Sequence, residues 1–273
     1  MRYFNKRNMK KLFIGVFILV ALLVASCATN PFTGKSTMAL VDNSELFPMA
    51  FQQYDEFLKE HTVIKNTSDA QMIQTVGQKI ANAADVWLKA NGYPNYLDDY
   101  NWEFNLVDDE QINAWCMPGG KIVFYTGILP VAKNEAGVAA VMGHEIAHAL
   151  ANHGQQRVSA AQYQSIVGMV GSAALGGSKY QQLFETAYGV GSDVGVMLPF
   201  SRKHESEADK IGLTLMAIAG YEPIEAAHLW ERMSELGGGS TPEILSTHPS
   251  SQTRIQNIIQ WAPDAKREAA KYK

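Results

Sequence analysis

The chain opens on a basic cluster, Arg2, Lys6, Arg7, Lys10 and Lys11, followed by an unbroken apolar run from Leu12 to Val24. From residue 44 the apolar positions recur at helical spacing. Leu46, Met49, Phe51, Tyr54 and Leu58 mark one face over Ser44 to Glu60. Ile73, Val76, Ile80, Ala84 and Leu88 mark the next, with Ser68 or Asp69 as its cap and Asn91-Gly92 as its stop. The period then changes. Trp102 to Val107 alternates apolar and polar side chains, and Ile112 to Met117 and Ile122 to Tyr125 flank Pro118-Gly119-Gly120 as a hairpin would. Helical spacing returns at Leu129. It predicts a long amphipathic helix over Asn134 to Asn152, ended near His153-Gly154, then helices over Ser201 to Ala219 and Pro223 to Leu236, and a last one after Pro249. Between residues 154 and 200, Gly, Ala, Ser and Gln surround short apolar patches, open to reading as a lid over a cleft or as ordinary core helices. The pattern implies an α+β fold, mostly helical, with a small β-sheet.

Composition narrows the picture. With 273 residues and 47% hydrophobic content the chain can bury a substantial core, and a formal charge of −4 excludes a strongly basic nucleic-acid binder. The basic cluster and 13-residue apolar run fit an export signal better than a membrane span, which needs about 20 residues. The run ends in Val24-Ala25-Ser26-Cys27, which resembles the bacterial lipoprotein box, where the cysteine becomes an acylated N-terminus. An uncleaved anchor helix is the alternative. The lipoprotein reading makes residues 1–26 a signal peptide, 27–40 a tether and 41–273 the functional domain. It puts lipid on Cys27 and the protein in a bacterial cell envelope, facing the periplasm, at the outer membrane in preference to the inner. Losing the five basic residues leaves 18 positive and 27 negative groups, net −9, and Cys116 as the remaining thiol.

The chemistry concentrates in His144-Glu145-Ile146-Ala147-His148. Residues four apart on a helix lie one turn above each other, so both imidazoles face one ion, and Glu145 sits to the side, where it can reach a water. A catalytic zinc site takes a third protein ligand and leaves one position open. The position six after His148 is Gly154, and His153 is displaced around the helix from the pair. The downstream run Glu205-Ser206-Glu207-Ala208-Asp209 offers a better candidate. Glu205 and Asp209 share a helical face, so Glu205 can bind zinc while Asp209 holds one zinc histidine. Glu207 is the competing choice, and Glu207 and His204 otherwise read as solvated surface residues.

These residues resemble the zinc metallopeptidase family that includes the CAAX prenyl protease, HtpX, LoiP and BepA. The resemblance rests on HEIAH, on ExEAD some sixty residues later, on Asn113 to Leu129 and on Thr247 to Ile255, and extends over nearly all of residues 40–260. It implies a zincin-like metallopeptidase domain whose active-site helix carries HExxH. It further implies one Zn²⁺ per chain on His144, His148 and Glu205, with Glu145 as general base and Asp209 supporting a histidine. His248, in a His-Pro pair, becomes a latch on the metal, an oxyanion stabiliser or a plain loop residue. Cys116 reads as a buried small residue, and Arg202 and Arg254 as surface or carboxylate-pairing residues.

The implied reaction is zinc-dependent hydrolysis of peptide bonds in misfolded or misassembled envelope proteins, with substrate added as a strand along Asn113 and Ala114. Expected partners are protein or peptide substrates, the membrane through Cys27, and envelope proteins, with no nucleic acid. The rival reading is a non-proteolytic zinc lipoprotein acting as a chaperone or docking module.

Overall fold

A computed structural model describes residues 27–170, 201–236, 242–249 and 251–272, so the export signal and most of the candidate lid lie outside the described residues. Helix α1 (Asn43–Glu60) starts where the Asp42 carboxylate accepts the Ser44 N–H. Helix α2 (Ser68–Ala90) starts where the Thr67 hydroxyl accepts the Ala70 N–H, one residue before the first of the expected caps.

Strands β3 (Val63–Ile64), β4 (Glu103–Val107), β5 (Ala114–Met117) and β6 (Lys121–Tyr125) form one sheet in the order β3-β4-β6-β5. The expected hairpin joins β5 to β6. Met117 pairs with Lys121 across a loop in which Gly119 and Gly120 hold φ of 81° and 93°, a region open to glycine at little cost. β4 runs parallel to β6. β5 is left at the edge, and every residue of β6 is buried. Ile122 and Phe124 join the core under α2, while Val123 and Tyr125 join Phe47, Tyr54 and Phe57 of α1 on the other face. The sheet is therefore covered on both sides.

A short helix α3 (Leu129–Ala132) leads into α4 (Glu135–Leu150), capped by the Asn134 side chain on the Gly137 N–H. Gly137 through Leu150 are all buried, so the helix is central and not amphipathic as expected. It packs on α6 (Arg202–Ile218) through a glycine pair: a Cβ on Gly212 would stand 2.9 Å from the carbonyl carbon of Gly143. Backbone contact at this point draws the HEIAH turn against the Glu205–Asp209 turn. Helices α7 (Glu225–Glu235), α8 (Glu243–Thr247) and α9 (Gln252–Ala269) complete the core. Between α4 and α5 (His153–Val170) the chain turns at Asn152, with φ of 55°.

Residues 27–40, expected as a tether, fold back on the domain. β1 (Cys27–Thr29) pairs with β2 (Ser36–Met38), and the loop between them is tied down by buried Asn30. Its Nδ2 donates to the Leu150 carbonyl at 2.6 Å, and its Oδ1 accepts from Phe32 and Thr33 N–H. Phe32 stacks on Trp87 with centroids 4.5 Å apart. The polar composition of a linker here serves to satisfy an orphan carbonyl at a helix end. Among the described residues no helix is long and apolar enough to cross a membrane.

Candidate metal centre

Helix α4 presents His144 and His148 one turn apart, their Nε2 atoms separated by 3.1 Å. Across the Gly143–Gly212 contact, α6 presents Glu205. Its Oε1 lies 3.3 Å from His148 Nε2 and its Oε2 3.4 Å from His144 Nε2. His248, at the C-terminal end of α8, brings Nδ1 to 3.2 Å from His144 Nε2 and 3.0 Å from Glu205 Oε1. All four side chains are buried, with one donor atom from each inside a common 4.8 Å. Ligands about 2.0–2.1 Å from a tetrahedral zinc stand about 3.3 Å from one another, so the observed separations of 3.0–3.4 Å suit that ion. Imidazole nitrogen and carboxylate oxygen are also the donors a borderline-soft divalent ion accepts.

The surroundings orient these groups. Asp209, one turn beyond Glu205, places Oδ1 3.0 Å from His144 Nδ1. Arg254 of α9 grips Asp209 with two hydrogen bonds, Nε to Oδ2 at 2.8 Å and Nη2 to Oδ1 at 2.7 Å. Its Nη1 is 2.9 Å from Glu205 Oε2, and its guanidinium lies 3.6 Å from the centroid of Trp230. Of the two readings left to arginines, carboxylate pairing describes Arg254, whereas Arg202 is exposed.

The electrostatics follow from this packing. Burial pushes the Glu205 pKa up, but the His248 and His144 charges outweigh it and hold the carboxyl well below the usual range. Burial and Arg254 oppose charging of His144, yet Glu205 and Asp209 lift its pKa to about 9. Burial keeps His148 well below the usual imidazole value. Glu145 is buried on the same helix and its pKa is raised, chiefly by burial. Its Oε1 accepts no hydrogen bond among the described residues and stands 3.5 Å from His248 Nε2.

Asn113 is buried beside edge strand β5, its Oδ1 accepting the Ala114 N–H at 2.9 Å, and Ala114 pairs with Phe124. Half-buried Cys116 donates to the Met117 carbonyl, and burial holds its thiol well above the ordinary pKa. Glu207 is not a solvated side chain. It meets His153 Nε2 at 3.2 Å and pairs with Lys35. His153 is fully buried, and it begins α5 in place of ending α4. The glycine pair and His153 were missed by pattern reading. The signals for the glycines are a Gly preceding HEIAH and a Gly three residues after Asp209, which the fold sets face to face.

Residues 68–262 match the sequence model of peptidase family M48. The mitochondrial metalloendopeptidase OMA1 of Schizosaccharomyces pombe is 40% identical over 178 residues, covering 64% of this chain and 51% of that protein. The protein of the same name from Saccharomyces cerevisiae is 35% identical over 201 residues, covering 71% and 56%. The beta-barrel assembly-enhancing protease of Escherichia coli is 30% identical over 164 residues, covering 56% and 33%. The chain thus spans about half the length of the curated relatives it matches. The bacterial-envelope address does not stand, because the relatives at 35–40% identity carry mitochondrial names. A basic cluster and an apolar run direct a chain to a membrane without saying which one.

Proposed function

The chain belongs to peptidase family M48, and on that premise we propose that it is a zinc-dependent endopeptidase. His144, His148 and Glu205 hold one zinc ion, and Glu145 is the general base. One observation carries the reading. The His248 ring spans the gap between the donor cluster and Glu145, Nδ1 toward the cluster and Nε2 3.5 Å from Glu145 Oε1, where an attacking water belongs.

A zinc ion there would supply a Lewis acid and lower the pKa of a water toward about 7. Glu145, whose raised pKa favours taking up a proton, accepts it from the attacking water and returns it to the leaving amine. Asp209 fixes the His144 ring through Nδ1, and Arg254 holds Asp209 and Glu205 in place. His248 has to leave its corner before substrate enters, so this arrangement is a latent one. Substrate adds to the edge of β5 near Asn113 and Ala114 through backbone hydrogen bonds, a mode that selects extended and therefore unfolded or misassembled chains.

A second reading has support in the same corner. Four protein donors describe a closed structural zinc site, in which Glu145 would be idle and the protein a non-proteolytic docking module. Digestion of casein with and without a chelator separates the two, run beside His248→Ala. A latch closed nine-tenths of the time suppresses turnover about tenfold, so the variant is expected to digest casein about ten times faster and to stop when chelated. Activity equal to or below the parent chain's argues against latency, and none in either protein favours the docking module.

Membrane attachment through lipid on Cys27, after loss of residues 1–26, belongs to the same proposal. Asn30 is docked on the domain, so three residues, at most about 10 Å of chain, separate the anchor from the enzyme. Cys27→Ser is expected to move the protein from the membrane pellet to the supernatant and to remove the acyl mass from its N-terminal peptide. A variant that stays in the pellet contradicts the anchor.

A further inference from the structure

His148 has two ring nitrogens, and they face different neighbours. Nε2 lies in the donor cluster, 3.1 Å from His144 Nε2 and 3.3 Å from Glu205 Oε1. Nδ1 lies on the other side, 3.0 Å from Nδ1 of fully buried His153. The far nitrogen of His153, Nε2, is 3.2 Å from Glu207 Oε2, and Glu207 Oε1 pairs with Lys35 on the docked N-terminal arm. His204 stacks on the His153 ring, centroids 4.3 Å apart at 17°.

Hydrogen-bond bookkeeping orders the protons along this row. If His148 turns the lone pair of Nε2 to a metal, its one proton sits on Nδ1 and must be donated. His153 Nδ1 then accepts, which puts the His153 proton on Nε2, where it is donated to the Glu207 carboxylate. Lys35 pairs with that carboxylate, so the row ends on an acceptor backed by a cation. The same pattern serves the other histidine in shorter form: His144 Nδ1 meets Asp209, which Arg254 neutralises. Each metal histidine thus backs onto a carboxylate that a cation holds, His144 directly and His148 through His153.

We propose that His153 and Glu207 are positioning residues for the metal, holding His148 in the tautomer and rotation that aim Nε2 at the ion, with Lys35 as the outer clamp. The inference rests on the metal reading above and extends it to residues outside the HExxH and ExEAD ligand positions. The turn at Asn152 makes the arrangement geometrically feasible. On a continuous helix a residue five after His148 lies about 140° around the axis, whereas the left-handed turn brings His153 back onto the His148 ring.

The test is zinc competition against a fluorescent chelator, together with thermal unfolding of the zinc-loaded and chelator-stripped full chain. His153→Phe keeps a ring and removes the acceptor, whereas His153→Asn returns an acceptor oxygen near the position of Nδ1. His153→Phe is expected to weaken zinc binding by about 10–100-fold, His153→Asn to recover to within about threefold of the parent, and Glu207→Gln to fall between them. The stripped forms should melt together, with the loss confined to the loaded forms. Parent-like zinc affinity in His153→Phe overturns the proposal. So does equal loss in the Phe and Asn variants with matching destabilisation of the stripped chains, the behaviour of a plain core residue. A parent chain that takes up no zinc removes the metal centre itself, and this relay with it.

Discussion

Glu145→Gln is expected to lower kcat/KM on an unfolded protein substrate by about 10²–10⁴-fold, the usual contribution of a positioned general base. Zinc content and melting temperature should stay at the parent values. Glu145 is buried and its pKa is raised by that burial, so a neutral amide of the same shape removes a costly charge and leaves the packing intact. The amide cannot take up a proton from the attacking water. Its neighbour His248 Nε2, 3.5 Å away, loses nothing that holds the fold, because Glu145 Oε1 accepts no hydrogen bond among the described residues. Kinetics on purified protein, with metal analysis on the same sample, give the answer. Undiminished turnover in a zinc-loaded Gln variant would remove Glu145 from the mechanism as the general base.

Glu205→Ala carries the second large effect, and it falls on both metal and fold. The carboxylate sits at the hub of the centre, 3.3–3.4 Å from both α4 histidines, 3.0 Å from His248 and 2.9 Å from Arg254. Its removal leaves buried Arg254 and His144 with Asp209 as the remaining carboxylate in contact with them. Stripping one partner from a buried charge pair costs about 3–5 kcal/mol, and a third metal donor goes with it. The expected outcome is loss of bound zinc on gel filtration and a lower melting temperature even without metal. Glu205→Gln, which keeps the shape, should lose zinc with the smaller stability penalty. Full zinc occupancy in the Ala variant would contradict the assignment.

Much of this was legible along the chain. Helical spacing located α1, α2, α4, α6, α7 and α9 within a few residues of their observed ends, because caps and glycine stops are local chemistry. Pro118-Gly119-Gly120 gave away the hairpin for the same reason. The two i, i+4 pairs, His144 with His148 and Glu205 with Asp209, were visible because one helical turn sets their common face. Residues 27–40 were expected as a tether from their polarity. Polarity says that a segment can be solvated, not that it is, and Asn30 spends its amide on the end of α4.

The amino-acid order by itself determined the local elements, the paired side chains on two helices and the reading of a metallopeptidase, all properties with a range of a few residues. The helical pairing of Glu205 with Asp209 already favoured Glu205 over Glu207, and the tertiary structure brings that carboxylate to the pair. Glu205 and Glu207 are two residues apart, and the backbone contact between Gly143 and Gly212 turns the first toward His144 and His148 and leaves the second to His153. It also decided the parallel pairing of β4 with β6, the arrival of His248 and Arg254 from other helices, and the fold-back of His153 at Asn152. The physical reason is common to all of them. Hydrophobic period and capping act within one element, whereas a buried polar group takes its partner from whichever element the packing brings within about 3 Å.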